Sequence, residues 1–404
     1  MGRFDVLQFG FDRKGPKGVK ISVRALNLQG NYRIPHLLHY DLMDHSIVIT
    51  GSSGYLGSAL CADLGRDHHV VGIDRRPPSP VLRQAAPRAV WETLDISTAE
   101  VVSSAFQRIA HEQGGIDFVI HFAVYYHYGR RWRPEYDIHN IEGTRNVIEA
   151  ACRAGAGRII FAASIASLVP PPQGMALTEG AADMAAFPYC KSKAAGERLC
   201  AERHDDLPAV IMRIGGVFSD WCELPPLFSL IRLWSRRDPI GRCIPGRGNT
   251  GFPYIHRDEL VRFVRRVIEK NDTLGRHEVL FASEDGCTCH ADLFRPIRRL
   301  CGKSVSAGPV HVPPALAVLF LYLKLAANGL RSRQTYEQPW MLTYADRPLR
   351  VDTGYTCRKL DWSPRNEYGI LNRLPLLMAN FQNHRRDWLA RNIRRNEGNY
   401  QFEP

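Results

Sequence analysis

The stretch IVITGSSGYLGSAL, residues 47–60, decides the fold of this chain. A run of β-branched residues leads into Gly51, Gly54 and Gly57, spaced G-x-x-G-x-x-G, and an apolar-periodic segment follows. This order is typical of a buried strand, a tight turn and a helix N-terminus. Backbone amides and the positive end of the helix dipole favour an anion such as a pyrophosphate there. The stretch therefore predicts a nucleotide-binding turn.

The composition of the whole chain is that of a globular protein. It has 404 residues, of which 45% are hydrophobic and 23% charged, with a net charge of +12 and a pI of about 9.3. A basic balance favours anionic partners such as dinucleotides, acidic substrates or anionic membrane surfaces. The arginines are scattered, and no compact basic-aromatic motif is present, which argues against a nucleic-acid partner.

The ten cysteines are spread singly along the chain, without the spacing of a disulfide framework. This usage predicts a reducing compartment and hence a cytoplasmic protein. Cys287, Cys289 and His290 form the single cluster of metal-ligating residue types in the sequence. Because no second ligand pair follows at zinc-site spacing, we predict no metal site.

From residue 46 onward, apolar strand-like runs alternate with helical patterns. The runs cover residues 70–74, 118–123, 158–164 and 209–213, and residues 138–151 have helical periodicity. This alternation predicts an α/β fold with a doubly wound parallel sheet. Asp74 ends the second run some twenty residues after the glycines, where a carboxylate can accept both hydroxyls of an adenosine ribose.

Four regions follow from this pattern. Residues 1–45 are predicted to be an extension outside the core, unless translation begins at Met43, directly before the nucleotide-binding strand. Residues 46–213 form the dinucleotide-binding domain. Residues 214–374 form a smaller, loop-rich substrate-binding part, which can exchange segments with that domain, and residues 375–404 form a basic tail.

A candidate acid/base group lies in the second half of the dinucleotide-binding domain. Tyr189 precedes Lys193 by four residues, so on a helix both side chains share one face. A nearby cation lowers the cost of forming a phenolate, so the pair suits proton transfer near neutral pH. Ser164 ends a strand upstream and can donate a hydrogen bond to the same reacting oxygen.

With these residues the sequence closely resembles the extended short-chain dehydrogenase/reductase family, which includes nucleotide-sugar epimerases, dehydratases and 3β-hydroxysteroid dehydrogenase-like enzymes. The resemblance runs from about residue 47 to residue 364. It rests on Thr50-Gly51-x-x-Gly54-Tyr55-Leu56-Gly57, Asp74, Asp95-Ile96, His121-Phe122-Ala123, Asn140, Ser164 and Tyr189-x-x-x-Lys193, with residues 254–258 and 359–364 further along. It implies a Rossmann fold and an NAD(P)-dependent oxidoreductase or epimerase.

The resemblance also implies the role of each site residue. Tyr189 acts as the acid/base, Lys193 holds the nicotinamide ribose and lowers the tyrosine pKa, and Ser164 polarises the carbonyl or alcohol. The implied cofactor residues are Gly51, Gly54, Tyr55, Leu56 and Gly57 in the turn, Asp74 and Arg75 at the adenosine ribose, Asp95 and Ile96 at the adenine, and Phe122, Ala123 and Asn140 along the cofactor path.

Departures from the family pattern narrow the substrate class. Ile165 and Ala166 follow Ser164 where family dehydratases have an acidic pair, so elimination chemistry is not expected. Gly215-Gly216 stand where many nucleotide-sugar enzymes have an asparagine, and Val124 is followed by two tyrosines. These changes favour a lipophilic alcohol or ketone, steroid- or terpenoid-like, over a nucleotide sugar. An epimerase with the same hydride chemistry and a catalytically silent nucleotide-binding protein are the alternatives.

Two C-terminal segments raise the question of membrane contact. Residues 312–330 are largely apolar but too short to span a bilayer, so they form either a lid or membrane-facing surface or an ordinary core helix. Residues 385–395 interleave arginines with apolar residues, as in a basic helix on anionic lipid or a solvated terminal helix. Besides a small-molecule substrate, the sequence therefore allows for peripheral membrane contact and for a homodimer.

The choice between NAD and NADP depends on the end of the second strand. Asp74 points at the adenosine ribose, where its charge repels a 2′-phosphate. Arg75 and Arg76 favour the opposite choice, because a guanidinium can pair with that phosphate. The acid occupies the position at the ribose, so the sequence predicts NAD, with NADP as the alternative.

Overall fold

The computed structural model describes residues 8–13, 19–24, 44–127, 129, 131–183, 187–303, 308–329 and 337–403. Near the N-terminus, strands Gln8–Arg13 and Val19–Arg24 pair antiparallel as a two-stranded sheet of their own. Met43, the alternative start, lies outside the described residues.

A seven-stranded parallel sheet forms the centre of the fold. Its strands are β1 (Ser46–Thr50), β2 (His69–Asp74), β3 (Val90–Thr93), β4 (Phe118–His121), β5 (Arg158–Ser164), β6 (Ala209–Ile214) and β7 (His277–Ala282). Their order across the sheet is β7-β6-β5-β4-β1-β2-β3, so the direction of winding reverses between β1 and β4. The predicted doubly wound sheet is confirmed.

Helices cover both faces of this sheet. They are α1 (Tyr55–Leu64), α2 (Pro80–Ala85), α3 (Ala99–Gln113), α4 (Gly143–Arg153), α5 (Pro188–Glu202) and, from further along the chain, α7 (Arg257–Glu269). Alternate residues of a strand face opposite sides. Accordingly Ile47 and Ile49 join the cluster that contains α1 and α7, whereas Val48 joins the cluster of α3 and α4.

A smaller part of the molecule is built from residues beyond β6. Its helices are α6 (Pro225–Trp234), α8 (His290–Leu300), α9 (Pro314–Gly329), α10 (Gly354–Leu360), α11 (Ile370–Asn383) and α12 (Arg385–Asn396). Its short strand pairs are Gly216–Phe218 with Tyr254–His256, Gly251–Phe252 with Thr288–Cys289, and Cys243–Pro245 with Val310–Val312. Because α7 and β7 pack with the sheet from beyond residue 213, the two parts share segments.

Two local features differ from the sequence-based picture of the helices and strands. The helical stretch predicted over residues 138–151 consists of a π-helix, Tyr136–Glu142, followed by α4. The edge strand β7 was not predicted, although it pairs with β6 along its full length.

The two C-terminal segments differ from their expected environments. The interpretation of residues 312–330 as an ordinary core helix is wrong for α9, because Leu319, Phe320 and Leu323 are each more than half exposed. The solvated-helix interpretation of the tail is also wrong, because Trp388 on α12 is fully buried among apolar side chains of α6 and α11. Within the described residues, no helix has both the length and the apolar character needed to cross a membrane.

Candidate active site

The glycine turn between β1 and α1 leaves no room for side chains at two of its glycines. Gly51 has φ +73°, and a Cβ there would lie 2.6 Å from the backbone nitrogen of Ala123. A Cβ on Gly57 would lie 2.2 Å from the carbonyl oxygen of Gly51, where the helix crosses the turn. Gly54 is the N-cap residue of α1, and no side chain there accepts a hydrogen bond from the first helical amides. A close, uncapped helix N-terminus of this kind fits a pyrophosphate.

Asp74 lies at the end of β2, directly beside this turn. Its Oδ2 accepts a hydrogen bond from the backbone amide of Ser53 at 3.0 Å, and its Oδ1 accepts one from the amide of Arg76 at 2.9 Å. The Arg75 side chain is exposed. Arg76 donates a hydrogen bond from Nη1 to the carbonyl of Gly398, 2.9 Å away, so this guanidinium is bound to the C-terminal segment.

Asp95 and Ile96 follow β3 at the same edge of the sheet. Ile96 is buried, and its side chain packs so closely on Gly143 that a Cβ there would lie 2.8 Å away. Asp95 accepts a hydrogen bond from the amide of Ser97 at 2.9 Å, and the hydrogen bonds of Ser97 help to lower the pKa of Asp95 against the effect of burial. These positions fit the side of an adenine pocket.

The three candidate catalytic residues lie on two neighbouring elements. Ser164 is the last residue of β5, and its Oγ accepts a hydrogen bond from the amide of Ala166 at 3.2 Å. Tyr189 and Lys193 lie on α5, which packs against β5, and both are buried. The Nζ of Lys193 lies 4.3 Å from the centre of the Phe161 ring on β5.

Burial sets the protonation of both α5 residues. It raises the pKa of Tyr189 well above its usual value, and Tyr126 and Cys190 raise it further, so the phenol is neutral. The cation that most lowers the pKa of Tyr189 is Arg395, not Lys193 as expected. Burial also lowers the pKa of Lys193 to about 8, against the opposing effect of Glu197.

A chain of hydrogen bonds connects the glycine turn to the tyrosine helix. Thr50 Oγ1 at the end of β1 lies 2.6 Å from Nδ1 of His121 at the end of β4, and Nε2 of His121 lies 3.0 Å from Thr144 Oγ1. The Thr144 hydroxyl donates to the carbonyl of Asn140 at 2.7 Å. Burial lowers the pKa of His121 to about 3, so the ring is neutral and can both accept and donate in this chain.

Asn140 completes the connection to the helix. Its Nδ2 donates to Ser192 Oγ at 2.8 Å, and that hydroxyl donates to the carbonyl of Tyr189 at 2.7 Å. Its Oδ1 accepts from the amide of Tyr125 at 2.6 Å, and so holds the loop after β4. Asn140 therefore positions both the tyrosine helix and a wall of the site.

Phe122 and Ala123 begin that loop. The amide of Phe122 donates to the carbonyl of Thr50 at 3.1 Å, and the amide of Ala123 donates to the Oγ1 of Thr50 at 3.3 Å. Both residues therefore lie against the glycine turn.

Aromatic side chains surround the candidate acid/base. The ring of Tyr126 packs edge-on against Tyr189, with 5.1 Å between ring centres. Tyr125, Tyr136 and Phe187 belong to the same cluster. This wall is aromatic and includes the two tyrosines that follow Val124.

Sequence reasoning missed one residue of this site, Arg395 on α12. Its guanidinium carbon lies 5.1 Å from the centre of the Tyr126 ring and 5.0 Å from that of Tyr55. It is separated from the glycine turn by more than three hundred residues, and no local pattern sets it apart from the other tail arginines.

The model of the NAD-dependent epimerase/dehydratase family matches residues 47–280, more than half of the chain. The chain belongs to this family. It is therefore an NAD-dependent enzyme of the oxidoreductase and epimerase type, as the resemblance to the short-chain dehydrogenases implied. NAD is the cofactor, and the glycine turn and Asp74 fit it.

Known relatives lie in several branches of this family. A UDP-glucose epimerase of Bacillus subtilis, itself uncharacterised, is 28% identical over 57% of this chain and 74% of its own length. A 3β-hydroxysteroid dehydrogenase of Mycolicibacterium neoaurum is 33% identical over 29% of this chain and 31% of its own length. The UDP-glucuronic acid 4-epimerase of Bacillus cereus, solved with a fluorinated UDP-sugar and NAD, has 21% identity and a TM-score of 0.61, covering 84% of this chain and 99% of that one. This last likeness shows the fold.

Proposed function

We propose that this enzyme transfers a hydride between NAD and a secondary alcohol or ketone on a lipophilic, steroid- or terpenoid-like substrate. The observation that carries the proposal is the aromatic wall at Tyr189, formed by Tyr126 and its neighbours. Aromatic and apolar surfaces favour flat, apolar ring systems, since burying such a ligand removes apolar area from water.

The proposed roles of the chain's own groups follow from their environments. The neutral phenol of Tyr189 donates its proton to the carbonyl oxygen as hydride arrives from the cofactor, and accepts the proton in the reverse direction. Ser164 donates a hydrogen bond to the same oxygen. Lys193 binds the nicotinamide ribose, and Asp74 binds the adenosine ribose. When bound, NAD supplies the hydride acceptor or, once reduced, the hydride donor.

A nucleotide-sugar epimerase is the second candidate, because the relatives from the two Bacillus species act on UDP-sugars by name. The geometry after β6 favours the first candidate. A Cβ on Gly215 would lie 2.7 Å from the carbonyl oxygen of Pro253, and a Cβ on Gly216 would lie 2.4 Å from the Phe252 ring. No asparagine therefore fits at either glycine without movement of its neighbours.

The two candidates and a silent protein give different results in one assay. The purified enzyme is incubated with NAD⁺ and either a panel of cyclic secondary alcohols, including 3β-hydroxysteroids, or UDP-glucose. We expect NADH to accumulate with an apolar alcohol. Formation of UDP-galactose without net NADH would establish the epimerase instead. Binding of NAD without turnover in either arm would contradict both.

The exposed apolar face of α9 supports peripheral membrane contact. Leu319, Phe320 and Leu323 are exposed on a helix of 16 residues, and the chain carries a net positive charge. We expect sedimentation with anionic vesicles that the double variant Phe320→Ser, Leu323→Ser loses, and a monomer by ultracentrifugation. A dimer that the double variant abolishes, without vesicle binding, would assign this face to a second copy.

All ten cysteines are free thiols, which supports a cytoplasmic location.

A further inference from the structure

The C-terminal segment from residue 385 to residue 403, here called the C-terminal cover, spans from the substrate-binding part to the glycine turn. At one end Trp388 is buried against Phe228 and Phe381. The Oδ1 of Asn392 accepts a hydrogen bond from the amide of Glu223 at 2.8 Å, which fixes α12 further. These contacts anchor the cover firmly on the substrate-binding side.

The other end of the cover reaches the cofactor side. The carbonyl of Gly398 accepts the hydrogen bond from Arg76, two residues after the ribose-binding acid. The ring of Tyr400 packs edge-on against Tyr55, the first residue of α1, with 5.1 Å between ring centres. The cover therefore bridges the two sides of the crevice that holds the cofactor.

Arg395 lies at the middle of this bridge. Its guanidinium contacts the ring of Tyr55, which follows β1, and the ring of Tyr126, which follows β4. The winding of the sheet reverses between these two strands, and dinucleotides bind in the crevice at such a reversal. A guanidinium against aromatic rings keeps its N–H groups available at its edge.

Several polar atoms around Arg395 have no hydrogen-bond partner within the part of the chain that the structure describes. The hydroxyl of Tyr55, the Nε of Arg257, the Nε of Arg395 and the Oε1 of Glu223 are buried without a hydrogen bond. The Tyr55 and Glu223 side chains are each at least nine-tenths buried. Buried polar groups in native proteins almost always have partners. This cluster of donors and one acceptor therefore points to a polar ligand that the protein binds here.

The charge of the cluster favours an anion. Arg257 and Arg395 carry positive charge, and Glu223 opposes both at Tyr55. Asp258 lies 3.7 Å from the Nε of Arg257 and offsets part of the charge of that guanidinium. The Nη1 of Arg257 also lies 3.5 Å from the hydroxyl of Tyr400. Two guanidiniums beside the start of α1 add to the positive end of that helix.

We propose that Arg395 binds the pyrophosphate of NAD, so that the C-terminal cover is part of the cofactor site. The proposal rests on NAD as cofactor and does not depend on the identity of the substrate. The glycine turn supplies backbone amides to the pyrophosphate, and the cover supplies a charge from the far end of the chain. Because Arg395 also faces Tyr126, it closes the crevice beside the candidate acid/base.

The test compares ligands with and without the pyrophosphate. Affinities of NAD⁺, ADP-ribose and adenosine are measured for the unmutated enzyme, Arg395→Gln and the control Arg386→Gln, which removes the same charge from an exposed position on α12. We expect Arg395→Gln to weaken NAD⁺ and ADP-ribose about 10- to 100-fold, the effect of a lost charge-assisted hydrogen bond, and to leave adenosine unchanged. Arg386→Gln should bind all three normally.

Two outcomes would overturn the proposal. Unchanged NAD⁺ affinity in Arg395→Gln would show that the guanidinium does not contact the cofactor. If the affinity for NAD⁺ is unchanged while UDP, measured in parallel, binds more weakly, the guanidinium binds an anionic substrate instead. If Arg395→Gln unfolds, Arg395→Lys replaces it; a smaller loss confined to the pyrophosphate ligands is then expected, and equal losses for adenosine would contradict the proposal.

Discussion

The two sides of the candidate site are built in different ways. The sheet side, with the glycine turn, Ser164, Tyr189 and Lys193, is built from short motifs that can be recognised in the sequence. The C-terminal cover is held by contacts between residues far apart in sequence, such as Arg76 with Gly398 and Asn392 with Glu223. The residues proposed for proton transfer therefore lie on the side that local sequence motifs predict. The residues that close the crevice lie on the side that these motifs do not predict.

This difference predicts a division of labour. Variants on the sheet side should change turnover, whereas variants on the cover should change stability and cofactor affinity. The apolar α9 is exposed and the arginine-rich α12 is anchored by a buried tryptophan, so composition alone does not tell which C-terminal helix belongs to the site.

The largest effect is expected on the sheet side, from Tyr189→Phe. Only the proton-transfer group is removed, so turnover should fall about 10²- to 10⁴-fold while NAD still binds. The measurement is steady-state kinetics on the substrate found in the alcohol panel, together with NAD⁺ affinity as the internal control. Near-normal turnover of this variant would show that Tyr189 is not the acid/base. The sheet side would then not be distinguished from the cover by its effect on turnover.

The next effect concerns the anchor of the cover, Trp388. Replacing a fully buried tryptophan by alanine costs about 3–5 kcal/mol when the surrounding structure cannot collapse around the cavity. Urea unfolding of Trp388→Ala should therefore show a lower free energy of unfolding. The control is Ile393→Ala on the exposed face of the same helix, expected within about 0.5 kcal/mol of the unmutated protein. Equal stabilities for both variants would mean that the cover is not part of the core.

The sequence was informative where one local pattern serves one local structure. The run ending at Thr50, the glycines and Asp74 predicted a strand, a turn and a second strand that ends in an acid, and the structure has them in these places. The contact of Asp74 with the adenosine ribose stays a prediction. Strand β7 was missed because its apolar run, residues 279–282, follows a loop-rich region that hid the alternation. Arg395 was missed for a different reason: its role depends on the rings of Tyr55 and Tyr126, which only the folded chain brings to it.

A third prediction concerns how the free energy of unfolding changes with pH through His121, which lies on the sheet side. The folded pKa of His121 is about 3, below the value of about 6.5 in an unfolded chain, so the unfolded state takes up a proton first as pH falls. Stability from this residue is complete above about pH 6.5 and lost towards pH 3, with about 2 kcal/mol gone by pH 5. Urea unfolding at pH 7 and 5 should show a smaller loss for His121→Asn than for the unmutated protein. Trp388→Ala, on the cover, should keep the full loss; equal losses in all three proteins would exclude His121 as the cause.

The smallest expected effect is on the choice of cofactor, where the two sides meet. Asp74 ends β2 at the position predicted for the adenosine ribose. The hydrogen bond from Arg76 to the carbonyl of Gly398 leaves the exposed Arg75 as the nearby cation for a 2′-phosphate. We therefore expect NAD to bind more tightly than NADP. Because Asp74 also accepts hydrogen bonds from Ser53 and Arg76, its replacement loosens the turn for both cofactors, and the ratio of affinities is the measurement that isolates selection.

Asp74→Ala should reduce the NAD/NADP affinity ratio about tenfold, which corresponds to the loss of roughly one hydrogen bond to a charged group. Arg76→Ala serves as the matched variant: it frees the carbonyl of Gly398 but leaves the carboxylate, so the ratio should stay close to that of the unmutated enzyme. If Arg76→Ala changes the ratio more than Asp74→Ala does, then the cover, acting through Arg76, selects the cofactor. Asp74, on the sheet side, would then not determine the preference for NAD over NADP.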